Sequence, residues 1–207
     1  GRFQALFEYC SRMGELLEMD VVNVPTYDGF QAAATALRMS CRITGRNRVL
    51  LPDTLGRDKL SKIRDYLKPE IEILIVDHDL KTGGLNLEHL ESLLKIETAA
   101  VYFENPSYLG FLEIHSAEIS ALAHRYGALA VVNVDPISLG VLAPPIRYGA
   151  DIVCGDIQSL GMHMQYGGGQ AGFIASRHDE KIVMQYPSRL FSISPTRVPG
   201  EYGFGDV

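Results

Sequence analysis

"TAAVYFENPSYLGFLEIHSAEISALAHRYGALAVVNVDP", residues 98–136, decides how the chain folds. It opens on an almost unbroken apolar run ending at Glu104, passes a turn at Asn105-Pro106, and continues into the helix-forming segment "SAEISALAHRYG". A second apolar run then closes on Asp135. A strand with no polar alternation is buried on both faces, and short buried strands joined through helices build a parallel sheet covered on both sides. The same unit recurs outward in both directions. "DVVNVP" (20–25) precedes the alanine-rich "FQAAATALRMSCRI" (30–43), "RVLLP" (48–52) precedes "LGRDKLSKIRDYL" (55–67), and "IEILIVD" (71–77) precedes "NLEHLESLLK" (86–95). "ADIVCGD" (150–156) and "GGQAGFIAS" (168–176) add two further strands, with glycine-rich "QYGGGQAG" as a turn. Ahead of them all, Phe3, Leu6, Phe7, Cys10, Met13 and Leu17 recur at helical spacing, so the first helix is amphipathic.

Composition narrows the function classes. With 46% hydrophobic and 21% charged residues the 207-residue chain is ordinary globular material. A net charge of -6 disfavours nucleic acid or an anionic membrane held by bulk charge. No apolar stretch approaches the roughly 20 residues that span a bilayer, and the N-terminus lacks a signal-peptide pattern, so the expectation is a cytoplasmic protein. Three widely spaced cysteines, Cys10, Cys41 and Cys154, suggest neither disulfides nor a metal site, and read as small buried hydrophobes. With no repeat or linker, residues 1–207 are expected to form one domain, and the lack of an initial Met together with an ending at "GEYGFGDV", directly after a turn-rich stretch, suggests a piece of a longer polypeptide.

In an open parallel sheet, ligands bind beyond the carboxyl ends of the strands. Four such ends, near Pro25, Glu104, Asp135 and Gly155, carry polar residues in turn settings and are expected along one edge. Thr26 or Asp28 serves as a helix N-cap in the plainest reading, and Asn105-Pro106 as a turn former. Asp135 ends a very apolar strand, where a carboxylate needs a partner to offset desolvation. A capped or ion-paired structural role and a ligand contact both stay open for it.

Taken in order, "GRFQALFEYCSRMGELLEMDVVNVPTYDG" (1–29), "AAVYFENPSYLGFLE" (99–113), "HRYGALAVVNVDPISLGVLAPPIRYGADIVCGDIQSLG" (124–161) and "YGGGQAGFIA" (166–175) resemble the glycine cleavage system P-protein family, the pyridoxal-phosphate glycine dehydrogenases (decarboxylating), and within it subunit 1. The resemblance runs through nearly the whole chain. It implies an α/β fold, the fold-type I pyridoxal-phosphate transferase large domain with a mostly parallel seven-stranded sheet and helices on both faces. The family's "GGPYLG" stands here as "GGGQAG" (167–172), which changes that loop. In the catalytic relatives the strand after Gly149 ends in His-Lys, the lysine forming the Schiff base; those positions fall on Gln158 and Ser159. Neither an amide nor a hydroxyl forms an imine, so the resemblance implies no catalytic residue in this chain. Lys59, Lys62, Lys68, Lys81, Lys95 and Lys181 all fall in predicted helices or turns, away from this strand end.

The resemblance also implies a vestigial cofactor pocket. Asp135 matches the carboxylate that pairs the pyridine nitrogen, Thr26, Tyr27 and Asp28 lie where a helix N-terminus receives the phosphate, and Asn105 completes the outline. The implied role is that of the non-lysine subunit of a two-subunit glycine decarboxylase. Its partners would be a lysine-bearing homologous subunit that holds pyridoxal phosphate, the lipoyl carrier protein and glycine. The apolar first helix is a candidate partner face, core packing being the alternative. Two other readings compete: a divergent relative with different carbon-nitrogen chemistry, and a non-catalytic regulatory or scaffold protein.

Overall fold

In the computed structural model, which describes residues 1–206, the alternation of apolar runs and helical segments becomes a seven-stranded sheet between two helical layers. In chain order the elements are α1 (Arg2–Leu17), β1 (Val21–Val22), α2 (Gly29–Thr44), β2 (Arg48–Pro52), α3 (Arg57–Leu67), β3 (Glu72–Val76), α4 (Leu87–Leu93) and β4 (Thr98–Glu104). There follow α5 (Ser116–Arg125), β5 (Leu129–Asn133), β6 (Ile152–Asp156), β7 (Gly172–Ser176), α6 (Glu180–Val183), β8 (Phe191–Pro195) and β9 (Tyr202–Asp206). The sheet order is β1-β7-β6-β5-β4-β2-β3. Strands β2 to β6 pair in parallel, and β7 runs antiparallel to both β6 and β1. Strand β1 therefore points the same way as β6, and the loops after β1, β4, β5 and β6 emerge along one edge.

Apolar residues fill both sides of this sheet. Val101 and Phe103 of β4 pack toward α1, α4 and α5, whereas Ala100 and Tyr102 pack toward α2 and α3. Helix α2 carries Ala32, Ala33 and Ala36 fully buried on its inner side, and such short side chains let its axis lie close to the strands. Asp28 caps its first turn and Gly45, at φ 69°, ends it in the left-handed region that glycine adopts freely. Two other glycines are fixed by close approach. A Cβ on Gly155 would lie 2.2 Å from the Val134 carbonyl oxygen, and one on Gly172 would lie 2.2 Å from that of Asp28.

On α1 the structure shows core packing, which the sequence reading left as the alternative to a partner face. Its apolar stripe was a candidate partner face, but the β8–β9 hairpin, which the sequence showed only as a turn-rich stretch, folds against it. Phe3 meets Phe191 with ring centroids 5.2 Å apart, and Phe7 meets Phe204 at 5.3 Å. On the other side Met13 and Leu17 are buried in the core. The three cysteines are free thiols, two of them buried; burial pushes Cys10 and Cys41 up to about 11 and Cys154 up to about 12.

Candidate functional site

The chain leaves β2 for β3 in one direction across the sheet and returns past β2 to run β4, β5, β6 in the other. Such a reversal opens a crevice at the carboxyl ends of the strands, the usual ligand position in open α/β sheets. A cavity of about 340 Å³ lies there, with Lys59, Glu104, Asn133, Asp135, Gln158 and Ser159 among its lining residues.

Glu104 is the decisive residue of this edge. The whole of β4 is buried, and its last side chain is a carboxylate only 6% exposed. A charge placed there requires a counter-charge and hydrogen bonds. Lys59 supplies them from the first turn of α3: its Nζ lies 2.5 Å from Glu104 Oε1, 3.3 Å from Asn133 Oδ1 and 3.5 Å from the Tyr102 hydroxyl. Tyr102 donates to Glu104 Oε1 at 3.0 Å, and the Tyr108 backbone N–H donates to Oε2 at 3.2 Å. Burial first, and then the Glu104 charge, push the Tyr102 hydroxyl well above its ordinary value, so it stays a neutral donor.

The sequence reading placed every lysine away from the strand end at Gln158 and Ser159; Lys59 bonds at the ends of β4 and β5 and lines the same cavity as those two residues. A short loop after β2 swings the first turn of α3 over the ends of β4 and β5, a move that tertiary packing alone dictates. The signal was present in Glu104 itself, a carboxylate closing an otherwise apolar strand. Lys59 is nonetheless not a free amine, because its ammonium is bonded to Glu104, Asn133 and Tyr102, and an amine must shed its proton before it forms an imine.

The residues singled out in the sequence divide into two groups. Asp135, Gln158 and Ser159 line the cavity, whereas Thr26, Tyr27, Asp28 and Asn105 are not among its lining residues. Ser159 Oγ donates to Asp135 Oδ1 at 2.8 Å, joining the two positions directly, and Asp135 also caps the following turn through the Ile137 N–H. Asp135 is exposed, so the desolvation expected from its apolar strand does not arise: the chain turns outward only after the buried Val134. Thr26 Oγ1 donates to the Asp28 carbonyl, and Thr26 bridges the backbone of Gly172. The exposed Tyr27 donates its N–H to Gln31 Oε1. Asn105 is buried and accepts from the Glu113 N–H at 3.2 Å.

A pyridoxal-phosphate cofactor needs an imine-forming amine and a set of free donors for its phosphate. At the start of α2 the Gly29 N–H already donates to Asp156 Oδ2 at 3.1 Å, and the Gln31 N–H to Asp28 Oδ1 at 2.6 Å. Two carboxylates thus already accept these first-turn N–H groups, and Gln158 and Ser159 after β6 offer no amine. The residues present do not fit a resident cofactor.

The family model described as Glycine cleavage system P-protein matches residues 1–199. The chain belongs to this family. A probable glycine dehydrogenase (decarboxylating) subunit 1 from Staphylothermus marinus is 40% identical over 196 residues, covering 94% of this chain and 42% of the relative. The protein of that name from Carboxydothermus hydrogenoformans is 42% identical over 205 residues, covering 99% and 45%. The chain therefore spans less than half the length of these P-protein relatives. Among solved structures, an inhibitor-bound glycine decarboxylase (P-protein) of the glycine cleavage system superposes with a TM-score of 0.89 at 37% identity, over 99% of this chain and 45% of that one. A cystathione gamma lyase from Micromonospora echinospora, at 21% identity and a TM-score of 0.65, shares the fold alone. The P-protein fold is thus the α/β architecture of the pyridoxal-phosphate-dependent enzymes, with its mostly parallel seven-stranded sheet.

Proposed function

We propose that this chain is the non-lysine subunit of a two-subunit glycine decarboxylase of the glycine cleavage system. In this reading a lysine-bearing homologous subunit holds pyridoxal phosphate, and the assembly releases CO2 from glycine and passes the aminomethyl group to a lipoyl carrier protein. The observation that carries the reading is Ser159, hydrogen-bonded to Asp135 at the strand end where catalytic relatives place the Schiff-base lysine. Occupation of the α2 amides by Asp28 and Asp156 supports placing the cofactor on the partner. The bound cofactor supplies the electron sink for decarboxylation. This chain's contribution is to shape the neighbouring wall: Lys59, Glu104 and Asn133 hold the ends of β4 and β5 together, and Asp135 fixes Ser159. Free cysteines agree with a reducing, cytoplasmic setting, and no helix among the described residues is long and apolar enough to cross a membrane.

One observation favours a second reading. Lys59 reaches the cavity, so a divergent enzyme with a relocated amine would use it. Reconstitution decides between them: the purified chain plus its lysine-bearing homologue should release CO2 from glycine, while the chain alone should not. Borohydride reduction of the chain alone with pyridoxal phosphate should leave no stoichiometric label. Trapping mapped to Lys59, together with turnover by the lone chain, would establish the second reading instead.

A further inference from the structure

Leu160, Met162, Met164 and Tyr166 alternate along the segment that follows Ser159, and all four are exposed, Met164 by 85% and Tyr166 entirely. Every residue from 159 to 167 is exposed, and residues 157–176 hold no Asp, Glu, Lys or Arg in a chain that is 21% charged overall. A solvated loop is ordinarily polar and charged. Depletion of charge combined with Met and Tyr is instead the composition of an interface core.

The backbone adds an independent observation. Gln165 and Tyr166 adopt φ 35° and 57°, consecutive left-handed residues beside Gly167 and Gly168, which take such angles freely. A non-glycine residue held there costs about 1–3 kcal/mol and persists where something else over-determines it. The Gly167 N–H bond to the Met164 carbonyl closes a tight turn over these two residues, and that turn presents the wholly exposed Tyr166 ring at its apex. Further backbone bonds hold the loop, from the Met162 N–H to the Gln158 carbonyl and from the Gly169 N–H to the His163 carbonyl, and Gly168 abuts the Gln158 amide.

We propose that residues 160–168 form a docking arm that seats against the lysine-bearing homologous subunit, with Tyr166 as its anchor and Met162 and Met164 packing beside it. This rests on the two-subunit reading above. The relatives' designation as subunit 1 supplies the partner, and the absence of charge favours a lasting apolar contact over a transient encounter with a carrier protein. Because the arm begins at Ser159, seating it brings the partner's surface against the cavity at the ends of β5 and β6.

The test uses the complete natural polypeptide and its lysine-bearing homologue, with the dissociation constant of the pair measured by titration calorimetry. Tyr166→Ala and Met164→Ser should each weaken association, Tyr166→Ala by at least about tenfold, the scale of an interface anchor. These side chains are exposed in the described chain, so neither substitution should change its thermal midpoint; a lowered midpoint of the complete polypeptide would show the arm covered by the rest of that polypeptide and would overturn the inference. Ile96→Ser, on an exposed residue before β4 at the opposite edge, should leave association unchanged. Wild-type affinity in both arm variants would overturn the inference while leaving the functional reading intact, and an equal loss from Ile96→Ser would overturn it as well. Failure of the unmodified chain to bind the homologue would remove the functional reading and the arm together. If the arm variants abolish self-association of this chain instead, its occupant is a second copy and the proposal fails.

Discussion

Replacing Lys59 by methionine removes the one cation bonded to Glu104 while keeping most of the side-chain volume. Glu104, 6% exposed, would retain only the Tyr102 hydroxyl and the Tyr108 N–H as donors. Breaking a buried pair by deleting one partner costs about 3–5 kcal/mol. The two remaining donors and the retained packing place Lys59→Met at the lower end, about 3 kcal/mol. For a chain of this size each kcal/mol lowers the thermal midpoint by about 2–4 °C, so a fall of about 6–12 °C is expected. Lys59→Met combined with Glu104→Leu should recover most of the stability, since a buried ion pair is often replaceable by apolar residues without loss. Urea unfolding of the four proteins measures this directly. If Lys59→Met costs under about 1 kcal/mol, or if the two substitutions are additive, the pair is not the coupled unit described here.

Two further outcomes follow from the geometry. Gly155→Ala should destabilise the chain by about 3 kcal/mol through overpacking, because its Cβ would meet the Val134 carbonyl oxygen at 2.2 Å and the Phe173 ring at 2.7 Å; an unchanged urea midpoint would contradict this close approach. Stability should decline in alkali. Burial raises Cys10 and Cys41 from an ordinary value of 9.0 to about 11, and Cys154 to about 12. Folded values above unfolded ones mean that this contribution is complete below about pH 9 and is lost as pH rises through 11 to 12. A urea midpoint that stays level from pH 8 to pH 11 would show that the thiols are not shielded.

Much of this architecture was legible because its signals are local. The apolar runs at 98–104 and 128–134 have no polar face, and only a sheet covered on both sides accommodates such strands. Asp28 caps α2 for the reason its position before an alanine-rich run implies. The absence of an amine at Gln158 and Ser159 is likewise a property of the sequence, since no packing changes a hydroxyl into a nucleophilic nitrogen. The β8–β9 hairpin was missed although "FSIS" and "YGFG" alternate, because the runs are short and set among Gly, Ser and Pro, and their apolar residues find a cover only in Phe3 and Phe7.

The contents of the cavity were decided by tertiary structure. Lys59 is separated from Glu104 by 45 residues, and Gly29 from Asp156 by 127. No periodicity links such positions; they meet because β2 and β4 are neighbours and because β1 and β6 both flank β7. The sequence by itself determined which side chains stand at 158 and 159 and which strands the chain builds, since both depend on residue type and on pattern over a few neighbours. Only the folded sheet determined that a lysine enters the crevice already neutralised, and that carboxylates of the chain occupy the helix amides, since both depend on which strand ends lie side by side.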